Sequence, residues 1–216
     1  MIEMFDNRPA FAITINGMSS VLLNQSINSI TLQENRGFDA DTLQITINDP
    51  DGLIALPNRQ AEITLALGFG VDLVNKGKFV VDSVAHSGPP DIITVGAHSA
   101  DFKKEFLERK SALYANKTIE EIVQDIAKKY ELDYKVADLF KRIKIESKQQ
   151  ADESDANLLT RLAGEYDAIA TIKMGTLLFL ERGVGKTASG ESLEMITHYR
   201  SDGDQHSYAV ADRNQY

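Results

Sequence analysis

The sequence predicts an α+β protein, mainly β, in which a β-domain is followed by an α/β insertion and by the start of a second β-domain. Three observations carry this. One-sided apolar stretches of period two recur from Phe11 to His98, as half-buried strands require. All five prolines lie at or before position 90, and helical spacing begins only after about position 100. The period-two pattern returns from Ala168 onward.

Taken in order, Phe11, Ile13 and Ile15 alternate with Ala12 and Thr14. Asn16-Gly17 then supplies a pair tolerant of positive φ, as a type I′ turn demands. Ser26 to Glu34 reads as a strand whose pattern slips between Ile27 and Ile30, the mark of a bulge. Leu43, Ile45 and Ile47 alternate cleanly, and Asn48-Asp49-Pro50-Asp51-Gly52 ends that strand. Ile63, Leu65, Leu67 and Phe69 form the next one. Gly77 to Ala85 and Ile92 to His98 form a hairpin around Ser87-Gly88-Pro89-Pro90-Asp91, because proline cannot donate to a ladder. Six or so strands of this kind make a small barrel or sandwich.

Asp101 to Leu107 reads as a short helix. Thr118-Ile119-Glu120-Glu121 is a capping box opening a helix whose face carries Ile119, Ile122, Val123, Ile126, Ala127 and Tyr130. Ile143 and Ile145 mark a short strand. Leu158, Leu159, Leu162, Ala163 and Tyr166 then lay a stripe along a helix of about three turns. Ser154 or Asp152 can cap it, and Asp155 suits the positive end of its dipole. Ala168 to Ile172 and Thr176 to Leu180 form two strands about a Met174-Gly175 turn. Leu193, Met195, Thr197 and Tyr199 form a third, and Ser207 to Ala211 starts another. Such a sheet is left with an open edge, so a longer natural chain or another subunit is expected to complete it.

Composition narrows the function. The chain of 216 residues is 43% hydrophobic and 25% charged, ordinary for a globular protein. It has no cysteine, which excludes disulfides, thiolate nucleophiles and cysteine-based zinc sites. Its net charge of −9 disfavours stable nucleic-acid binding, which needs a basic face. No apolar run reaches the roughly 20 residues of a membrane span, and the N-terminus has no basic-then-apolar signal. No membrane insertion is expected.

No motif selects a chemistry. Gly183-Val184-Gly185-Lys186-Thr187 looks like the end of a phosphate loop, but Leu180 stands where glycine is needed and the loop joins strands. His86, His98, His198 and His206 lack metal-ligand spacing; His86 and His98 flank the predicted hairpin and are candidate cross-strand neighbours. Asp39, Asp41, Asp49 and Asp51 fit turn chemistry better than a calcium loop. No serine lies in a Gly-x-Ser-x-Gly elbow. Lys103-Lys104, Arg109-Lys110 and Lys141-Arg142 read as solvated faces. No catalytic residue, cofactor or metal site is expected.

The string Gln150, Glu153, Ser154, Asp155, Leu159, Arg161, Leu162 and Ala163 resembles the late control D family of contractile phage tails, baseplate hub proteins related to type VI secretion spike proteins. Asp41 to Ile47, Asp49-Pro50-Asp51-Gly52, Leu56-Pro57, Gly77 to Asp82, His86 to Asp91, Ser99-Ala100-Asp101 and Thr118 to Ala127 continue the likeness in order. Arg59-Gln60 departs from it, standing where the family has a glycine. The resemblance implies a first, tube-docking β-barrel over 1–100, a helical α/β insertion over 101–153, and a helix plus the start of a second, incomplete barrel over 154–216. It further implies a structural, non-enzymatic hub in the virion tail baseplate or an equivalent injection particle, assembled in the bacterial cytoplasm. The partners implied are two further copies in a trimeric ring, the tail tube protein, the spike protein and baseplate wedge proteins, with DNA at most passing through the channel. The segment Thr118 to Tyr130 is separately similar to the first helix of LysM modules. The alternatives are therefore a peptidoglycan-binding tail module or a cell-wall hydrolase component.

Overall fold

A computed structural model describes residues 8–100, 104–183, 185, 187, 191–195, 197 and 199. Residues 1–182 form one compact unit and residues 183–216 a second. The chain is mainly β.

The first six strands are β1 (Pro9–Ile15), β2 (Ile27–Gln33), β3 (Thr42–Asn48), β4 (Glu62–Phe69), β5 (Asp72–Ser87) and β6 (Ile92–Ser99). They form one antiparallel sheet in the order β1-β4-β5-β6-β3-β2. The sheet curls into a half-barrel, and β5 shows how. Its first half pairs with β4, its second half with β6, and the two ladders overlap only at Phe79 and Val80. Register slips at Leu65/Ala66 and Val81/Ser83 add the local twist that bulges bring. The slip expected near Ile27 is present, between Ile27 and Ser29. The alternating apolar residues turn inward: Ile13, Leu43, Ile45, Ile47, Ile63, Leu65, Phe79, Val81, Ile93 and Val95 make one buried core. β1 and β2 end the sheet.

The turns follow their residues. Asn16 and Gly17 both have positive φ, 49° and 77°, and Ile15 and Met18 exchange two backbone hydrogen bonds across them. This tight turn leads into a short helix, α1 (Val21–Ser26), capped by Ser20, rather than into a second strand of a hairpin. Gln60, in the pair that stands where the family has glycine, has φ 72°. A side chain there is strained by about 1–2 kcal/mol, partly offset by the extra freedom a glycine gives the unfolded chain. Gln60→Gly is expected to raise stability by about 0.5–1 kcal/mol, read from the urea midpoint.

The remaining elements are a 3-10 turn at Lys104–Leu107, β7 (Arg109–Thr118), α2 (Ile119–Lys129), β8 (Asp133–Val136), α3 (Asp138–Lys141), β9 (Lys144–Ser154), α4 (Asp155–Glu165), β10 (Ala168–Lys173) and β11 (Thr176–Glu181). β7 and β9 pair antiparallel. β10 and β11 form a hairpin, and β8 joins β11 in parallel. The capping box at Thr118 and Glu121 is complete, and such a cap contributes about 1 kcal/mol. The strand expected around Ile143 and Ile145 is longer, because its pairing with β7 carries it to Ser154. Ser154, not Asp152, caps α4, accepting from the Asn157 N–H.

The segment read as an insertion shares its core with the helix and hairpin C-terminal to it. Phe106, Ile119, Ile122, Val123, Ile126 and Phe140 pack with Leu158, Leu159, Leu162, Ile172, Leu177 and Phe179 in one buried cluster. The second unit has Thr187 N–H bonded to the Glu191 carbonyl and Leu193 N–H to the Gly185 carbonyl. Leu193, Met195, Thr197 and Tyr199, expected in a strand, are in none among the described residues. The strand expected at Ser207 to Ala211, His198, His206, Lys186 and Lys103 lie outside the described residues.

Candidate docking surface

The eight residues picked from the sequence come together where β9 turns into α4. Leu159, Leu162 and Ala163 are buried in the second core. Arg161 forks onto the Glu153 carboxylate, with Nε 3.2 Å from Oε1 and Nη2 2.7 Å from Oε2, and also donates to the Gln149 carbonyl. That two-pronged contact fixes the angle between strand and helix. Ser154 caps the helix. Gln150 is buried, and its Nε2 donates to the Glu153 carbonyl and to Asp155 Oδ1; its Oε1 has no protein donor in reach.

Asp155 is the centre of this cluster and is fully buried. Its Oδ2 accepts from the Tyr130 hydroxyl at 2.7 Å and from Lys110 Nζ at 2.9 Å, with Lys129 Nζ 3.7 Å away. Lys110, expected on a solvated face, is therefore tied inward by a buried carboxylate. Burial alone would raise the pKa of Asp155, but the hydrogen bonds from Tyr130, Lys110 and Gln150 and the charge of Lys129 outweigh it and hold the carboxyl below its usual value. Burial works against the Lys110 ammonium, yet its bonds to Tyr130 and Asp155 raise its pKa. Burial pushes the Tyr130 phenol up. A nucleophilic or basic lysine needs a lowered pKa, so this geometry holds charge in place and joins β7, α2, β9 and α4.

A carboxyl with a depressed folded pKa stabilises fully above its unfolded value of about 3.9 and loses that contribution as pH falls through the folded one. The raised Lys110 pKa has the opposite sign, its contribution fading only as pH climbs past about 10.4. Urea midpoints at pH 7 and pH 3 are expected to show the gap between the native chain and Asp155→Asn closing on acidification. An unchanged gap would mean that Asp155 carries no charge in the folded state.

The two cores of the first unit meet at the loop between β2 and β3. The Thr171 hydroxyl donates to the Gly37 carbonyl at 2.6 Å, and Lys173 Nζ lies 2.6 Å from both oxygens of Asp41. Asp41 also accepts from the Asn35 N–H at 2.7 Å. Phe38 reaches across to Phe106, with ring centres 5.1 Å apart. Asp49, also read as a turn residue, accepts from the N–H groups of Leu53 and Ile54.

His86 and His98 are not cross-strand neighbours. The β5–β6 register sets His86 opposite Ile93 and His98 opposite Val80, near opposite ends of the ladder. His98 instead contacts Asp82 at 3.1 Å, and His86 lies 4.0 Å from Asp91. Among the described residues no three potential ligands gather in a metal site.

Two of the exposed features are apolar. Where the half-barrel stands open, a cavity of about 390 Å³ lies between β1, β2 and α1. Its floor is Ile13, Ile45, Ile47, Ile63 and Val95, and its rim includes Met18, Leu22 and Leu53. Met18 is 74% exposed and Leu53 70%, and no lining residue is charged. A second apolar group sits at the β4–β5 hairpin tip, where Phe69 and Val74 are more than half exposed and Val71 is 94% exposed. Gly70, the first of the two turn residues, has φ 55°, as a type II′ hairpin requires. Gly68 permits the tip to close, because a side chain there would strike the Asp72 carbonyl. Exposed apolar patches of this kind mark interaction sites. Sequence reading passed over both, although the signal was present: Val21-Leu22-Leu23, Leu53-Ile54 and Gly70-Val71 put apolar side chains in connections.

A mainly-β scaffold with exposed apolar surfaces suits a protein that partners cover. Relatives make this specific. The family of phage tail baseplate hubs (GPD) matches over residues 53–216. A probable baseplate hub protein of Escherichia phage 186 is 44% identical over 210 residues, covering 96% of this chain and 54% of that one. Its counterpart in Escherichia phage P2 is 45% identical over 195 residues, covering 90% and 50%. The chain belongs to the phage tail baseplate hub family, and it spans about half the length of the curated relatives it matches. The fold is similar to that of a 43 kDa tail protein of prophage MuSo2 from Shewanella oneidensis (TM-score 0.59, 16% identity, 83% of this chain and 54% of that one). It is also similar to a tail protein from Neisseria meningitidis MC58 (TM-score 0.57, 12% identity, 80% and 50%).

Proposed function

We propose that this chain is a structural part of a contractile-tail baseplate hub, joining the tail tube to the central spike as a trimeric ring without a chemical step. The observation that carries this is the pair of exposed apolar surfaces on the half-barrel, in a chain of the hub family. Such surfaces are useful to a protein that is covered in its assembly. In this reading residues 1–100 are the tube-docking barrel, 101–153 a helical insertion, and 154–216 the helix and opening strands of a second barrel. The location is the virion tail baseplate, with assembly in the bacterial cytoplasm. The neighbours are the tube protein, the spike protein and wedge proteins.

The sugar-binding alternative rests on the helix Thr118–Tyr130. Against it, that helix buries its whole apolar face in the core shared with α4, as a structural insertion does.

Co-sedimentation with purified tail tube protein tests the proposal. Joint migration in a defined ratio is expected, with no pelleting on peptidoglycan sacculi. Binding to sacculi without binding to the tube would replace the hub reading with the sugar-binding one.

A further inference from the structure

We propose that the polar cleft between the β2–β3 connection, β5 and the β10–β11 turn binds a multiply charged oxyanion, a small molecule carrying two or more phosphate or carboxylate groups. The cleft holds about 440 Å³, the size of a small-molecule site. Its lining carries four cations, Arg36, Lys76, Lys78 and Lys173, and two acids, Glu34 and Asp41, a net charge of +2 in a chain of −9. Residues 1–100 contain eleven acids and five basic residues, and three of those five line this one cleft. Ion pairing does not account for the gathering. Lys173 is satisfied by Asp41. Arg36 has no hydrogen-bond or ion-pair partner among the described residues. Lys76 Nζ lies 3.6 Å from Glu34, and Lys78 reaches the exposed Glu62, outside the cleft, at 2.8 Å. Exposed pairs of this kind are held by at most about 1 kcal/mol, so both lysines can turn to a ligand.

The backbone builds the site. Leu65 of β4 pairs with Gly77 and Ala66 with Asn75, so Lys76 is the extra residue of a bulge in β5. A bulge takes a residue out of the ladder and re-aims its side chain. Gly77 supplies the φ of 103° found there, and Asn75 Oδ1 accepts from the Gly77 N–H at 2.9 Å, which holds the bulge in place. The Asn75 Nδ2 has no partner among the described residues and is a further donor for the cleft. Arg36 comes from the β2–β3 connection, beside Asn35, whose N–H is bonded to Asp41. A guanidinium fork matches the paired oxygens of a phosphate or carboxylate, and the lysines add point charges. An oxyanion held by Arg36 and Lys76 ties the connection between the two cores to β5. The site rests on charge and backbone geometry alone and is independent of the hub reading.

Amide NMR spectra of the full chain, titrated separately with pyrophosphate and with tricarballylate, test it. Saturable shifts centred on residues 34–36, 74–78 and 173–175 are expected with at least one of the two anions, weakening as salt is added. Binding of pyrophosphate alone assigns the site to phosphate groups, binding of tricarballylate alone to carboxylates, and binding of both to oxyanions of either kind. Arg36→Ala is expected to raise the dissociation constant at least about 10-fold, the effect of losing a charged hydrogen bond, and Lys76→Ala to weaken binding as well. Lys135→Ala removes the same charge from an exposed position on β8 and is expected to leave binding unchanged. All three positions are on the surface, and thermal melts matching the native chain establish that the variants fold. No saturable binding of either anion, shifts centred elsewhere, or equal weakening in Arg36→Ala and Lys135→Ala overturns the proposal.

Discussion

Asp155→Asn is expected to lower stability by about 3 kcal/mol, the lower end of what removing one partner of a buried ion pair costs. The reason lies in the direction of the donors. Tyr130, Lys110 and Gln150 all point hydrogens at the Asp155 carboxylate. An amide of the same shape turns two hydrogens of its own toward at least one of them. Lys110 is partly exposed and can swing to water, but the Tyr130 hydroxyl is held in place by the ring contact with Phe106. For a chain of this size the loss corresponds to a drop of about 6–12 °C in Tm, measurable by calorimetry. A drop under about 2 °C would show that Asp155 is not the common acceptor the geometry makes it.

Phe106→Ala is expected to cost about 3–5 kcal/mol. The ring is fully buried and stands between Phe38, from the loop of the first sheet, and Tyr130, at the end of α2. Its removal leaves a void that neither neighbour readily fills, since Phe38 sits on the β2–β3 connection, which is tied down beside it at Gly37 and Asp41, and the Tyr130 hydroxyl is bonded to Asp155. The same variant is expected to speed amide hydrogen exchange around Gly37 and Phe38 more than in the centre of β3. Uniform exchange across both would mean that the two cores unfold as one and that Phe106 does not join them.

Much of the fold was legible because its sheet has one wet face. Leu43, Ile45 and Ile47 alternate so cleanly that only one register buries them. The helices were legible from their caps, Thr118 with Glu121 and Ser154 before Asp155. What escaped notice has physical reasons. β7 carries Lys110, Ala112 and Tyr114 inward, and neither a lysine nor an alanine advertises a buried face. The half-barrel's open side cannot be read from period two, which tells which face is buried but not how far a sheet closes. The His86 and His98 reading failed because flanking a hairpin does not bring residues face to face: His86 pairs beside the connection and His98 near the far end of the β5–β6 ladder. The family string at Gln150 to Ala163 gave the positions that meet, yet Lys110 and Tyr130, which complete the cluster, lie 45 and 25 residues from Asp155. No local pattern connects them.

The joint between the two cores has a mechanical consequence. Gly37, Phe38 and Asp41 all sit on one short connection, and Thr171, Phe106 and Lys173 grip it from the other side. A load pulling the two cores apart would be borne in part by that connection, through one hydroxyl, one ring and one ammonium, so three side chains from distant parts of the sequence act as its anchors.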